Sequence, residues 1–254
     1  MSSDRKREVV DLLKSIETGD SKPLASVNPD KYIQHNLAVA DGVAGLRALF
    51  AALPTGSAKV NTVRVFQDGD YVFTHTDYNF FGLKIGFDIF RFEDGKIVEH
   101  WDNLQETAAK PGPSGHTMID GPTTATDLDK TEVNKALMQS YMDDLLAGRR
   151  NKFPGYFEGN NYIQHNPWVA DNLTGLLAGL QTLAQEGKAV KYDRVHMVLG
   201  EGNFILVVAE GGFGDRPTAY YDMYRIQNGK IAEHWDALET IPPRADWKNS
   251  NGKF

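Results

Sequence analysis

One run of residues is written twice in this chain. "YIQHNLAVADGVAGLRAL" starts at Tyr32 and "YIQHNPWVADNLTGLLAGL" at Tyr162, an offset of 130, and "FDIFRFEDGKIVEHWDNLQET" is answered by "YDMYRIQNGKIAEHWDALET" at an offset of 134. The order is the same in both halves. An internal repeat constrains the fold before any local pattern does, and two copies are too few for a solenoid. The chain therefore reads as a duplicated domain, and 254 residues suit two domains of ordinary size. Between the copies, "AAKPGPSGHTMIDGPTTATD" has neither helical nor strand period and is linker chemistry. The expected division is a first domain at 1–107, a linker at 108–127 and a second domain at 128–254.

Within each copy the period changes once. "REVVDLLKSI" sets Val9, Val10, Leu12, Leu13 and Ile16 on one helical stripe, and "VNKALMQSYMDDLLAG" does the same before a glycine stop. A second helix follows each YIQHN, with Asp41 or Asp171 placed to cap it. The segments "KVNTVRVFQ", "YVFTHTDYNF", "KIGFDIFRF" and "KIVEHWDNL" then alternate as strands between Gly and Asp turns. Helices followed by an antiparallel meander make an α+β domain. A curved sheet wrapped on those helices leaves a pocket inside.

The hairpin "RFEDGKIVEH" decides which side chains share that interior. A three-residue "EDG" loop, with Gly95 left-handed as a bulge, would pair Phe90 with Val98 and Asp88 with His100, and Asp102 would follow on the same face. A two-residue loop would set Asp88 against Trp101 and scatter the group, because a slip of one residue exchanges the faces of a strand. The bulged loop is expected, and "QNG" at 227–229 has the same form.

On that register Asp88, His100 and Asp102 converge over an apolar floor including Phe90 and Val98, and Asp222, His234 and Asp236 do so in the second copy. Tyr71, Phe73 and His75 are expected to line the first pocket, with Tyr32 and His35 from its YIQHN, and Tyr162 and His165 from the other. Carboxylates and imidazoles in one apolar cavity perturb each other's protonation, as general acid–base chemistry requires. Each histidine also has a structural reading as a hydrogen-bonded scaffold residue. His116 and His196 are read as incidental.

Other classes fit poorly. The net charge is −7 with no dense basic run, so nucleic acid is not an expected partner. The absence of cysteine excludes disulfides, Fe–S clusters and thiol chemistry and, with no signal-peptide pattern or run of about 20 apolar residues, points to a cytoplasmic protein without a membrane partner. No cofactor is expected, since neither a dinucleotide fingerprint nor a P-loop occurs. No metal is expected either: no helical His pair has ligand spacing, and His75 becomes Val208 in the second copy.

"YIQHN", the D-x-[FY]-R at Asp88–Arg91 and Asp222–Arg225, and "DGKIVEHWD" resemble the SnoaL-like polyketide cyclases of the NTF2-like superfamily. The resemblance spans both halves apart from the linker. It implies two cone-shaped α+β barrels forming an intrachain pseudo-dimer, with further oligomerisation left open. It also implies a cofactor-free intramolecular aldol reaction that uses the aspartate of the last strand, here Asp102 and Asp236, as acid or base. Where those cyclases use a histidine one strand earlier, this chain has Asp88 and Asp222, which leaves the substrate open. The expected activity is that of a cofactor-independent lyase or isomerase on a small carbonyl compound, with His100 or His35 stabilising the enolate and the first copy, which keeps His75, the more active. The alternatives are a non-catalytic module for a small apolar ligand and an epoxide hydrolase. The last needs an arginine between two aspartates, whereas Arg91 and Arg225 alternate away from Asp88 and Asp222.

Overall fold

The computed structural model describes residues 2–53, 56 and 58–254. It divides into two compact units, Met1–Glu106 with Pro242–Phe254, and Thr107–Ile241. This corrects the expected boundaries at both tails. Residues 108–127 pack as part of the second unit, and the last thirteen residues belong to the first.

In the first unit, helix α1 (Ser2–Thr18) buries Val9, Leu12 and Leu13, the predicted stripe, into a core with Val60, Val72, Phe90, Phe92 and Ile97. Burial of side chains this size contributes about 1.5–3 kcal/mol each. Strand β1 (Ile33–Gln34) and helix α2 (Gly42–Ala52) follow, then β2 (Lys59–Asp68), β3 (Tyr71–Asn79), β4 (Leu83–Glu93) and β5 (Lys96–Glu106). The sheet order is β1-β5-β4-β3-β2. Four strands form the expected meander. The two-residue β1 has too little pattern to be visible in the sequence, yet it pairs parallel with β5, Ile33 to Glu99 and Gln34 to His100, and so ties YIQHN to EHWD. Asp41 stands at the N-cap of α2 but does not cap it; its carboxylate accepts from the backbone N–H of Gln34 at 2.9 Å and fixes the YIQHN turn.

The second unit repeats the plan with α3 (Thr131–Leu146), β6 (Ile163–Gln164), α4 (Asn172–Gln185), β7 (Val190–Glu201), β8 (Phe204–Phe213), β9 (Arg216–Gln227) and β10 (Lys230–Thr240), ordered β6-β10-β9-β8-β7. Among the described residues no helix is long and apolar enough to cross a membrane.

The hairpin differs from expectation in an instructive way. Glu93 pairs with Lys96, so the loop has two residues, Asp94 and Gly95, with φ of 50° and 76° as a tight hairpin turn requires. By itself that loop would scatter the acidic group. A bulge in β5 prevents it: Phe92 pairs with Ile97 and Arg91 with Glu99, leaving Val98 as the extra residue. Beyond the bulge Phe90 faces His100 and Asp88 faces Asp102. The pairs are displaced by two residues from prediction, and a shift of two preserves the face. In the second unit Asn228 and Gly229 turn with φ of 53° and 70°, Ala232 is the bulged residue, and Asp222 pairs with Asp236.

Candidate active site

Because side chains alternate along strands, the register fixes what the first unit turns inward. Asp88, Phe90, His100 and Asp102 line one cavity, joined by Tyr32, Gln34 and Asn36 from around β1 and Tyr78 from β3. The cavity is about 80 Å³ and is otherwise walled by apolar side chains, including Leu13 and Ile16 of α1 and Leu46 and Phe50 of α2. Asp88, His100 and Asp102 are 4%, 8% and 5% exposed.

The polar end is a continuous network. Gln34 Oε1 accepts the Asn36 backbone N–H at 2.9 Å, which identifies it as the oxygen, and also faces His100 Nδ1 at 3.0 Å. His100 Nε2 faces Asp88 Oδ1 at 3.2 Å. Both ring nitrogens face acceptor oxygens, and a doubly protonated ring would satisfy both. The Tyr78 hydroxyl donates to Asp88 Oδ2 at 2.6 Å and the Asn36 amide to Asp102 Oδ2 at 2.5 Å. Two buried groups are left over: Asp102 Oδ1, an acceptor, and the Tyr32 hydroxyl, a donor, neither with a hydrogen-bond partner. Burial, and then the charges of Asp102 and Asp88, push the Tyr32 phenol far above its usual range, so it stays protonated.

Several predicted residues lie elsewhere. Since Thr74 pairs with Asp88, the residues that alternate with it, Tyr71, Phe73 and His75, occupy the opposite face of the sheet. There His75 stacks on Phe87 with centroids 4.2 Å apart. Val98, taken up by the bulge, is buried outside the cavity lining, whereas Phe90 and Tyr32 line it as expected. His35 also points away, which removes it from the catalytic set. It stacks on Trp101 at 4.7 Å, with Nε2 3.0 Å from Glu99 and Nδ1 2.9 Å from the carbonyl of Gly252. His165 repeats this, stacked on Trp235 at 4.6 Å and bonded to Glu233 and to the carbonyl of Thr117, each at 2.8 Å. The histidines of YIQHN therefore dock the tail segments, while the flanking Gln and Asn serve the cavity. Alternation within the pentapeptide is the sequence signal for Gln34 and Asn36. For Tyr78 there is none short of the β3 register.

The second unit holds the same triad. His234 faces Asp222 and Gln164 at 2.9 Å each, Asn166 donates to Asp236 Oδ2 at 2.6 Å, and Asp236 Oδ1 is buried without a partner. Burial holds the Asp236 carboxyl up at about 6, even though His234 beside it lowers it, and the bonded Asp222 carboxylate helps raise the His234 imidazole against its own burial. The interior differs. Tyr78 corresponds to Gly211, and the bond to Asp222 comes instead from Tyr192 on the neighbouring strand, at 3.1 Å. Gly86 corresponds to Tyr220, whose ring lies 4.5 Å from that of Tyr192. Tyr162 belongs to this core cluster, with Tyr141 and Tyr224. In the first unit a Cβ at Gly86 would meet Leu104 at 2.5 Å and Tyr78 at 2.9 Å. Gly86→Ala should accordingly cost about 1–3 kcal/mol in thermal unfolding through overpacking, and ligand affinity should fall with it.

Each triad brings three potential ligand atoms within 4.8 Å, as does His116–Asp120–His165. In the Asp88 and Asp222 triads both imidazole nitrogens already meet protein acceptors, so a cation would have to displace one of those bonds. His116 is not incidental. It lies 3.5 Å from Asp171 and packs against His165, in the tail that docks on YIQHN. Arg91 and Arg225 bond Glu99 and Glu233 on the face away from the triads.

The family profile described as a SnoaL-like domain matches residues 9–100. Residues 9–100 form a SnoaL-like domain. No curated protein matches the chain. Solved structures similar to it include TsrD from Streptomyces laurentii, at 21% identity over 41% of this chain and 90% of that one with a TM-score of 0.36. An LEH-like epoxide hydrolase of M. tuberculosis has 17% identity, covers 41% and 84%, and has a TM-score of 0.36. A protein of Jannaschia sp. CCS1 assigned to the SnoaL-like polyketide cyclases has 14% identity, covers 41% and 87%, and has a TM-score of 0.35. The SnoaL-like domain carries Asp88 and His100 within its matched span, and Asp102 follows two residues later on the same strand.

Proposed function

We propose that the first unit is a cofactor-independent acid–base enzyme that enolises a small carbonyl compound, for isomerisation or aldol-type ring closure. The observation that carries this reading is the pair of unsatisfied groups in one apolar cavity: a carboxylate oxygen on Asp102 and a hydroxyl on Tyr32. A buried acceptor and a buried donor without hydrogen-bond partners are each unfavourable unless a ligand completes them. A carbonyl compound with an acidic α-hydrogen supplies both complements. Asp102 Oδ1 takes the proton from carbon, the Tyr32 O–H bonds the oxygen on which the enolate charge develops, and the imidazolium of His100 lowers the cost of that charge. The proton on Asp102 then returns to another carbon in an isomerisation, or to the alkoxide formed when the enolate carbon attacks a second carbonyl.

The test is solvent exchange. Small apolar ketones and β-dicarbonyls incubated with the chain in D₂O should gain deuterium at the α-carbon, and Tyr32→Phe should slow the exchange about 10²-fold or more. The second reading, a binding module for the same class of ligand, rests on the same cavity. Tight binding without exchange in the wild-type chain would establish that reading and overturn the enzymatic one.

A further inference from the structure

The first unit contains one charged group near its triad that comes from the far end of the chain. The C-terminal tail docks along the YIQHN segment: the Lys248 N–H donates to the Leu37 carbonyl, Asn249 donates to the carbonyls of Asn36 and Val39, and Asn251 donates to the Gln34 carbonyl and Asp41. The Gly252 carbonyl reaches His35. The next residue, Lys253, is 4% exposed, with its Nζ 3.8 Å from Asp102 Oδ1, the oxygen left without a hydrogen bond.

The second unit supplies an internal comparison. Its docked segment presents the Thr117 carbonyl to His165 as Gly252 does to His35, and the following residue is Met118, also 4% exposed. Beyond the tyrosine rearrangement, the residue that follows the docking carbonyl is a buried lysine in the first unit and a buried methionine in the second.

We infer that Lys253 is a positioning residue of the first site, delivered by the tail to keep Asp102 charged as a base, while the docked segment of the second unit carries Met118 after its docking carbonyl and brings no such charge. The inference rests on the reading of Asp102 as the base. Charge balance supports it. With both ring nitrogens protonated, two aspartates and an imidazolium sum to one negative charge in a dry interior, and a nearby ammonium neutralises it in the first unit only. The raised carboxyl of Asp236 is what a triad without the lysine shows. The titratable groups facing Asp102 are Lys253 from the tail, Asp88 from β4, His100 from β5, Tyr78 from β3 and Tyr32 from the segment before β1; α1 and α2 present only apolar side chains to the cavity.

The experiment is a carboxyl titration of the full chain by carbon-13 NMR with labelled aspartate, assigned by Asp102→Asn and Asp236→Asn. In Lys253→Met the Asp102 signal should titrate about one pH unit or more higher than in the wild type, and Lys253→Arg should restore it. Met118→Lys should move the Asp236 titration down by a similar amount, a gain that does not depend on the first unit tolerating its own variant. Unchanged Asp102 and Asp236 titrations across these variants would overturn the inference. The readout needs no turnover: the expected shifts in a chain that never exchanges a carbonyl α-hydrogen would uphold the role of Lys253 and refute the enzymatic reading alone.

Discussion

Asp102→Asn should abolish solvent exchange into a carbonyl substrate, with a loss of about 10²–10⁴-fold in kcat/KM, whereas Asp236→Asn should change it less than about twofold. The asymmetry follows from the interiors. Both aspartates have an oxygen without a hydrogen bond and both accept from an asparagine of YIQHN. Among the described residues, only Asp102 combines that oxygen with a tyrosine hydroxyl whose proton has no acceptor in the same cavity and a lysine alongside. In the second unit Tyr220 replaces Gly86, and the Gln164 amide donates to the Tyr162 hydroxyl at 3.4 Å. The substitution is close to isosteric, and the Asn36 amide can still donate to the new side-chain oxygen. A folded Asp102→Asn chain that keeps more than about a tenth of wild-type exchange would remove the residue from its role. Removing the charge also leaves Lys253 buried beside a neutral amide, so this variant should melt at a lower temperature.

Much of this arrangement is readable in the chain because strand alternation depends on parity, not on exact register. The expected loop is one residue too long and the pairs are displaced, yet Asp88, Phe90, His100 and Asp102 still share one face, because the shorter turn and the bulge at Val98 each shift the pairing by one residue and a shift of two keeps the face. The same rule misplaces His75. Alternation groups it with Tyr71 and Phe73, a face consistent among the three residues, but nothing local specifies which face β4 will match. His35 fails for a different reason: YIQHN looks like loop, and only its pairing with β5 turns Gln34 and Asn36 inward and His35 toward Trp101. Lys253 is beyond the reach of pattern. Its place beside Asp102 depends on a contact across about 150 residues, made by a tail whose sequence has no period. The linker hides its docking role likewise, since Pro- and Gly-rich composition is equally compatible with a free segment and with one pinned by a histidine.

Asp236→Asn should raise the stability of the chain at neutral pH, the opposite sign to Asp102→Asn. In the native second unit the Asp236 carboxyl keeps its proton up to about pH 6, while its ordinary value is 3.8. Between those values the folded state binds more protons than the unfolded one, so stability falls as pH rises, and a difference of that size amounts to about 3 kcal/mol above pH 6. His234 adds to the same slope at higher pH. Its raised value means that its contribution is complete below 6.5 and is lost as pH climbs through the folded value. The asparagine variant removes the first component but also one of the charges that hold His234 protonated, so the net gain at pH 7 should be smaller, about 1–2 kcal/mol. Thermal unfolding from pH 4 to 8 reads both effects: the wild-type midpoint should decline across pH 4–6, and the variant should show a flatter curve there and a higher midpoint at pH 7. A variant that melts lower than wild type at pH 7 would mean that Asp236 is held there as a stabilising carboxylate, and the contrast between the two aspartates would be lost.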